Sequence, residues 1–285
     1  MIIASTVLCG CAVNSLFLSR GDAADPIISA GGFTKSYVRS GPFTLMTCSR
    51  IASPGAPVRI YIEGDGNAWK SRAYLSEDPT PSNPVALYCA ARDPSSNVAY
   101  IARPGQYRRS GDERCEPTYW SMRRFSPEVI DAVSGVIDTL KQEARASSVE
   151  LVGFSGGAAI AVLVAAQRHD VTALRTVAGN LDWERFCEYH NISPLTGSRN
   201  PVDVAREIAY IPQHHFFGKN DAVEPSFIAD RFIRASGSPD TVEISIIDRT
   251  THSKGWRKVW PELLRRYPSV EGAILQGATL RDGTI

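Results

Sequence analysis

Residues 151–160 read L-V-G-F-S-G-G-A-A-I, in which Ser155 carries the only hydroxyl and stands among three glycines. Glycine inside a helix or strand costs roughly 0.5–1 kcal/mol relative to alanine. Three of them around one serine therefore mark a place where side chains would obstruct the backbone. Upstream, Val149–Val152 has the character of a buried strand. Downstream, Ala158–Ala166 (A-A-I-A-V-L-V-A-A) is apolar on nearly every face, as a helix buried against a sheet must be. The stretch predicts a strand, a tight turn carrying Ser155, and a buried helix.

The same alternation runs through the rest of the chain. Strands are predicted at Tyr37–Val38, Phe43–Cys48, Val58–Ile62, Val98–Ala102, Leu174–Val177, His214–Phe217 and Val242–Ile247. Helices are predicted at Pro84–Ala91 and from Trp256 to Tyr267. Ser126-Pro127-Glu128 reads as an N-cap, a first helical position and a favourable N-terminal charge. Val129, Ile130, Val133, Val136, Ile137 and Leu140 follow at the spacing of one buried helical face. Alternation of this kind implies the α/β class, a mostly parallel central sheet with helices on both faces. Without repeats, low-complexity runs or a long linker, residues 36–285 are expected to form one domain, with a candidate signal segment at 1–11 and a tether at 12–35.

The chain has 285 residues, 43% hydrophobic and 21% charged, with a formal net charge of +1. That balance gives no reason to expect nucleic acid as a partner. No apolar run reaches the roughly 18 residues of a membrane-spanning helix. The N-terminal M-I-I-A-S-T-V-L-C-G-C resembles a bacterial lipoprotein signal ending in a Leu8-Cys9-Gly10-Cys11 box, although no Lys or Arg precedes it. The resemblance implies export to the cell envelope and membrane attachment through a lipidated Cys11. Cys48, Cys89, Cys115 and Cys187 are even in number, which suits disulfides with three possible pairings; free thiols in a reducing compartment are the alternative. None lies in a C-x-x-C pair, and neither a metal nor a cofactor is implied.

Gly153-Phe154-Ser155-Gly156-Gly157 fits G-x-S-x-G, a nucleophile elbow. With its flanking strand and helix it resembles the α/β-hydrolase superfamily of serine hydrolases over approximately residues 36–270. The resemblance implies the α/β-hydrolase fold and a nucleophile, acid and histidine in that chain order. Ser155 is then the nucleophile. Asp221, in F-F-G-K-N-D-A-V-E-P (216–225), is the acid, with Asp182 in Gly179-Asn180-Leu181-Asp182 as its rival. His252, in T-H-S-K-G-W (251–256), is the base, whereas His214 and His215 fall inside a strand. The oxyanion donors are the N–H of Gly156 and that of Asp65 or Gly66, in the E-G-D-G turn (63–66) where many members carry His-Gly-Gly-Gly. The Asp65 carboxylate is expected to point away from the developing charge, and Glu63 to brace the turn or to be half of a buried salt bridge. Asp182–Val204 takes the place of a short lid, and Tyr107, Tyr119, Trp120 and Trp183 are candidate pocket residues.

These features imply a metal-independent serine hydrolase forming an acyl-enzyme on a small-molecule or lipid-like ester. Thioester and peptide bonds are open to the same machinery. In a different class altogether stands a non-catalytic surface lipoprotein that keeps the scaffold for binding.

Overall fold

Burial of a mostly apolar sheet on both faces is what organises this chain. The computed structural model describes residues 22–108, 115–237 and 240–267; the candidate signal segment and Cys11 lie outside them. In chain order the elements are α1 (Asp25–Ala30), β1 (Thr34–Ser40), β2 (Phe43–Ile51), β3 (Val58–Ile62), β4 (Trp69–Ser71), β5 (Tyr74–Leu75), α2 (Val85–Ala90), β6 (Asn97–Ile101), α3 (Pro127–Glu143), β7 (Val149–Phe154), α4 (Gly156–Ala165), β8 (Val171–Val177), α5 (Trp183–His190), β9 (Gln213–Gly218), α6 (Asp230–Ser236), β10 (Val242–Ile247) and α7 (Trp256–Arg266). Eight strands form one sheet in the order β1-β2-β6-β3-β7-β8-β9-β10, and β4 with β5 forms a separate hairpin. The β1–β2 and β2–β6 pairs are antiparallel. From β6 through β10 every neighbouring pair is parallel.

The period-2 alternation of strand side chains sorts the interior into two layers. Ile60 and Ile62 of β3 and Leu151 of β7 join α3 and α4 on one face. Tyr61, Val152 and Phe154 join α1, α2 and α7 on the other. The α3 pattern read from sequence is the face that is buried. Ser126 stands at its N-cap, but its carbonyl rather than its hydroxyl accepts the first helical N–H groups, from Val129 and Ile130. All of α4 is buried, as its uniformly apolar composition requires.

Two expectations need correction. The tether at 12–35 is packed structure over residues 22–35: α1 buries Ile27 and Ile28, and Phe33 joins the same layer. These apolar side chains pack α1 against α2 and β1, which a short segment without periodicity does not announce. Among the described residues, Cys48, Cys89, Cys115 and Cys187 form no disulfide with one another. Cys48 and Cys89 belong to the α2–α7 layer, whereas Cys187 and Cys115 belong to the α3–α4 side, so the sheet separates the two groups.

Charged groups are buried on the α2–α7 side. Arg59 pairs with Asp93 at 2.9 Å and with Glu150 at 2.7 Å, and Glu150 also takes Arg175 at 3.0 Å. Removing one member of such a cluster strands the others in low dielectric. Glu150→Ala is expected to destabilise the fold by about 3 kcal/mol or more, read from urea unfolding at neutral pH; a loss within about 0.5 kcal/mol contradicts this account.

Candidate active site

In a parallel sheet all strands end on the same edge, so the loops that follow them converge there. β3, β6, β7, β8, β9 and β10 deliver residues 63–68, 102–107, 155, 178–182, 219–225 and 248–255 respectively. At the centre, β7 ends at Phe154 and α4 begins at Gly156, which leaves Ser155 alone to make the turn. Its φ of 52° and ψ of −122° lie in a region costly for any residue but glycine. Three backbone bonds hold it there: Ser155 N–H donates to the Val177 carbonyl at 3.0 Å, and the Ser155 carbonyl accepts from Asn180 N–H at 3.1 Å and from Ala158 N–H at 3.0 Å. A Cβ on Gly157 would lie 2.3 Å from the Ile62 carbonyl oxygen and 2.4 Å from that of Glu63, so only glycine lets α4 start this close to β3.

The three residues that the sequence places on separate loops meet here. Ser155 Oγ lies 2.9 Å from His252 Nε2, and His252 Nδ1 lies 3.0 Å from Asp221 Oδ2. With Nδ1 protonated, Nε2 is left as the acceptor for the serine proton. Asp221 Oδ1 accepts from the N–H groups of Val223 and Glu224 at 2.8 and 2.9 Å. Burial alone would raise the Asp221 carboxyl, but the hydrogen bond and charge of His252, with those two N–H donors, hold it below the usual carboxylate range. Trp256 Nε1 donates to the carbonyls of Thr251 and His252, and Asn220 N–H to that of Thr250, tying the histidine loop to the acid loop.

Asp182 is elsewhere. It caps α5 through Arg185 N–H, accepts from Asn200 Nδ2 at 3.0 Å and pairs with Arg231 at 3.1 Å. Asp65 departs from expectation. Rather than pointing away, its carboxylate lies against the nucleophile turn, where a Cβ on Gly156 would be 2.1 Å from its Oδ1. Arg103 at 3.3 Å and Arg124 at 3.2 Å pair with it, which compensates the negative charge that would otherwise oppose an oxyanion. The 63–67 turn is pinned at both ends, with Gly64 N–H on Glu63 and Asn67 N–H on the Pro79 carbonyl. Asp65 and Gly66 between them sit on the cavity wall.

A cavity of about 470 Å³ opens over Ser155 and His252, lined also by Asp65, Gly66, Trp69, Arg124, Phe154, Asn180, Phe186, Val223 and Glu224. A second cavity of about 660 Å³ shares Trp69, Arg124 and Phe186 with it and continues along Met122, Ile192 and Leu195. The expected pocket aromatics are not its walls: Tyr107, Trp120 and Trp183 are packed interior residues, 4, 3 and 9% exposed. Tyr119 instead packs edge-on against Phe43. Asp182–Val204 does reach the cavity, but through Phe186 of α5. Asn180 and Glu224 were within reach of sequence reasoning, since each stands beside a candidate acid on a loop that follows a parallel strand. Arg124 carried no such signal, because it arrives from the irregular segment before α3. Among the described residues no cluster of three or more His, Cys, Asp or Glu side chains is arranged to hold a metal ion.

No family model and no curated protein sequence matches the chain. Solved structures match it in shape. The Pyrococcus horikoshii acylaminoacyl peptidase superposes with a TM-score of 0.60 at 13% identity over 89% of this chain; the match spans 43% of the peptidase, less than half its length. The Pyrococcus furiosus esterase Pf2001 matches with a TM-score of 0.54 at 13% identity, over 82% of this chain and 92% of its own. An alpha-beta serine hydrolase homologue from Coxiella burnetii gives 0.53 at 18% identity, over 82% and 96%. The likeness establishes the α/β-hydrolase fold for this chain.

Glu63, under the candidate oxyanion turn, offers a stability test. It is braced by hydrogen bonds: its carboxylate accepts from the N–H groups of Gly64, Ala86 and Leu87 and from the Tyr100 hydroxyl. Burial nevertheless lifts its carboxyl to about 7. A group raised in the folded state stabilises fully below its unfolded value, near 4.3, and loses that contribution as pH rises through the folded value. The stability difference between the parent protein and Glu63→Gln is therefore expected to shrink by up to about 3 kcal/mol between pH 4.5 and 7.5, measured by urea unfolding. A difference that grows across that range would refute the assignment.

Proposed function

We propose that the chain is a serine hydrolase that works through an acyl-enzyme, with a carboxylic ester as its substrate. The observation that carries this reading is the continuous hydrogen-bonded line Ser155–His252–Asp221 beside the N-terminus of α4, at the floor of an open cavity. Ser155 Oγ attacks the ester carbonyl while His252 Nε2 takes its proton. Asp221 holds the imidazole in one tautomer and stabilises the imidazolium. The tetrahedral oxygen is received by the N–H of Gly156 and by those of the Asp65-Gly66 turn, helped by the dipole of α4. His252 then protonates the departing alcohol, and water activated by the same imidazole releases the acid from Ser155.

Two features favour an ester over a peptide. The esterase is matched over nearly its whole length, whereas the peptidase is matched over less than half. The candidate lid is one short helix, α5, with Phe186 on the cavity wall, which leaves the nucleophile accessible to small substrates.

A fluorophosphonate probe is expected to label the parent protein and not Ser155→Ala; labelling that survives the substitution places the nucleophile elsewhere. Hydrolysis of p-nitrophenyl acetate supplies the second arm. Asp221→Asn should lower kcat by about 10⁴, as loss of the imidazole's orienting carboxylate does. Asp182→Asn should instead lower the melting temperature and leave kcat within a few-fold. The reverse pattern would transfer the acid role to Asp182.

A further inference from the structure

The second cavity, of about 660 Å³, opens off the one over Ser155 through the shared residues Trp69, Arg124 and Phe186. Its volume lies within the roughly 300–1,000 Å³ typical of small-molecule sites. Three segments build it: the β4–β5 hairpin, the stretch before α3, and α5 with the loop that follows. They are bonded to one another. Arg72 of the hairpin donates to the His190 carbonyl at the end of α5 at 2.9 Å. Ser198 Oγ donates to the Met122 carbonyl at 2.7 Å, and the Thr196 hydroxyl to Met122 Sδ at 3.6 Å. Folding nevertheless leaves Trp69, Met122 and Ile192 on the walls 46, 48 and 40% exposed. Apolar side chains gathered in a concave place and left in water mark a ligand groove.

The charges on the wall ask for no ionic ligand. Its charged lining residues are Arg72 and Arg124, of which the first is bonded to the His190 carbonyl and the second pairs with Asp65 at 3.2 Å. A neutral apolar chain suits such a wall. The two faces of the sheet then decide which arm of an ester reaches it. His252 is held from the α2–α7 layer, where Phe154 packs against its ring and Trp256 ties its loop. The second cavity lies towards the α3–α4 layer, to which Leu195 belongs and against which Phe186 packs. Among the described residues, none from the histidine loop lines it. In the tetrahedral adduct the oxyanion faces Gly156, and the alcohol faces His252, which protonates it. The acyl chain takes the remaining direction, towards the second cavity.

We propose that this second cavity is an acyl-chain subsite, with Met122 and Ile192 on its walls, and that it makes esters of medium-length unbranched fatty acids better substrates than short ones. The proposal rests on the serine-hydrolase reading above. Its test follows kcat/KM along p-nitrophenyl butanoate, hexanoate and octanoate, each value being divided by the ester's hydroxide-catalysed rate. Burying one methylene is worth about four-fold, and a gain of that size per methylene is expected in the parent protein. In the double variant Met122→Asp/Ile192→Asp the gain should fall below about two-fold. Both side chains are half-exposed, so the fold tolerates the change, and a gain read within one protein is insensitive to a loss common to all esters. Along ethyl, butyl and hexyl acetate, where only the alcohol lengthens, the rise should be smaller than in the acyl series. A gain below about two-fold per methylene in the parent protein, with butanoate hydrolysis that disappears in Ser155→Ala, overturns the subsite and leaves the hydrolase reading standing. A gain in the double variant equal to the parent's, or an alcohol series as steep as the acyl one, also overturns the subsite. Hydrolysis of none of the esters overturns both.

Discussion

A helix that begins two residues after a central strand ends must pass directly over its neighbours' carbonyl groups, and that crowding governs this molecule. Gly157 lies against the carbonyls of Ile62 and Glu63, and Gly153 against the backbone of Ala158. Because α4 cannot move away, Ser155 takes up the whole reversal of direction in a single costly backbone conformation. Its hydroxyl is thereby raised above the sheet edge, and the first N–H groups of α4 are brought beside it. The bonds from Asn180 and to Val177 tie the same turn to the end of β8, so the loop that carries Asn180 is part of the turn's support.

Charge placement at this edge follows from the same crowding. The β3 turn is pressed onto α4, which puts the Asp65 carboxylate against Gly156, where an unpaired negative charge would work against an oxyanion. Two arginines from different segments compensate it. Below it, Glu63 is braced entirely by N–H and O–H donors, which join the turn to the start of α2. The opposite end of the strands is handled differently: Arg59, Asp93, Glu150 and Arg175 neutralise one another on the same face of the sheet, with Tyr61 and Trp260 closing the group above Asp93. One group of buried charges thus supports the sheet and another shapes the cavity.

The sequence was readable where local chemistry is strict. Glycines around Ser155, the mostly apolar runs of β3 and β7, and the helical spacing in α3 each reflect a constraint acting within a few residues. Ser155, Asp221 and His252 could be singled out because the resemblance to the α/β-hydrolase superfamily points to the loops that follow particular strands. Where burial depends on distant partners the reading failed. Tyr107, Trp120 and Trp183 look from sequence like pocket aromatics, yet they are enclosed by segments far away in the chain. Residues 22–35 lack periodicity because so short a helix needs only Ile27 and Ile28 to be anchored. The even cysteine count suggested bridges, but the sheet stands between Cys48 and Cys89 on one side and Cys115 and Cys187 on the other, which rules out two of the three pairings.

By itself the sequence determined the alternation of strand and helix, the α/β class, the sharp turn at Ser155 and the order in which chemistry-bearing loops follow one another, because these depend on side-chain size, polarity and backbone freedom at neighbouring positions. Only the tertiary structure decided that His252 meets Asp221 while Asp182 caps α5, that Asp65 turns towards Gly156, and that Arg124, Asn180 and Glu224 share one wall. The reason is geometric. A parallel sheet gathers the ends of its strands on one edge, but the distances among the gathered side chains are set by twist, register and packing summed over the whole sheet.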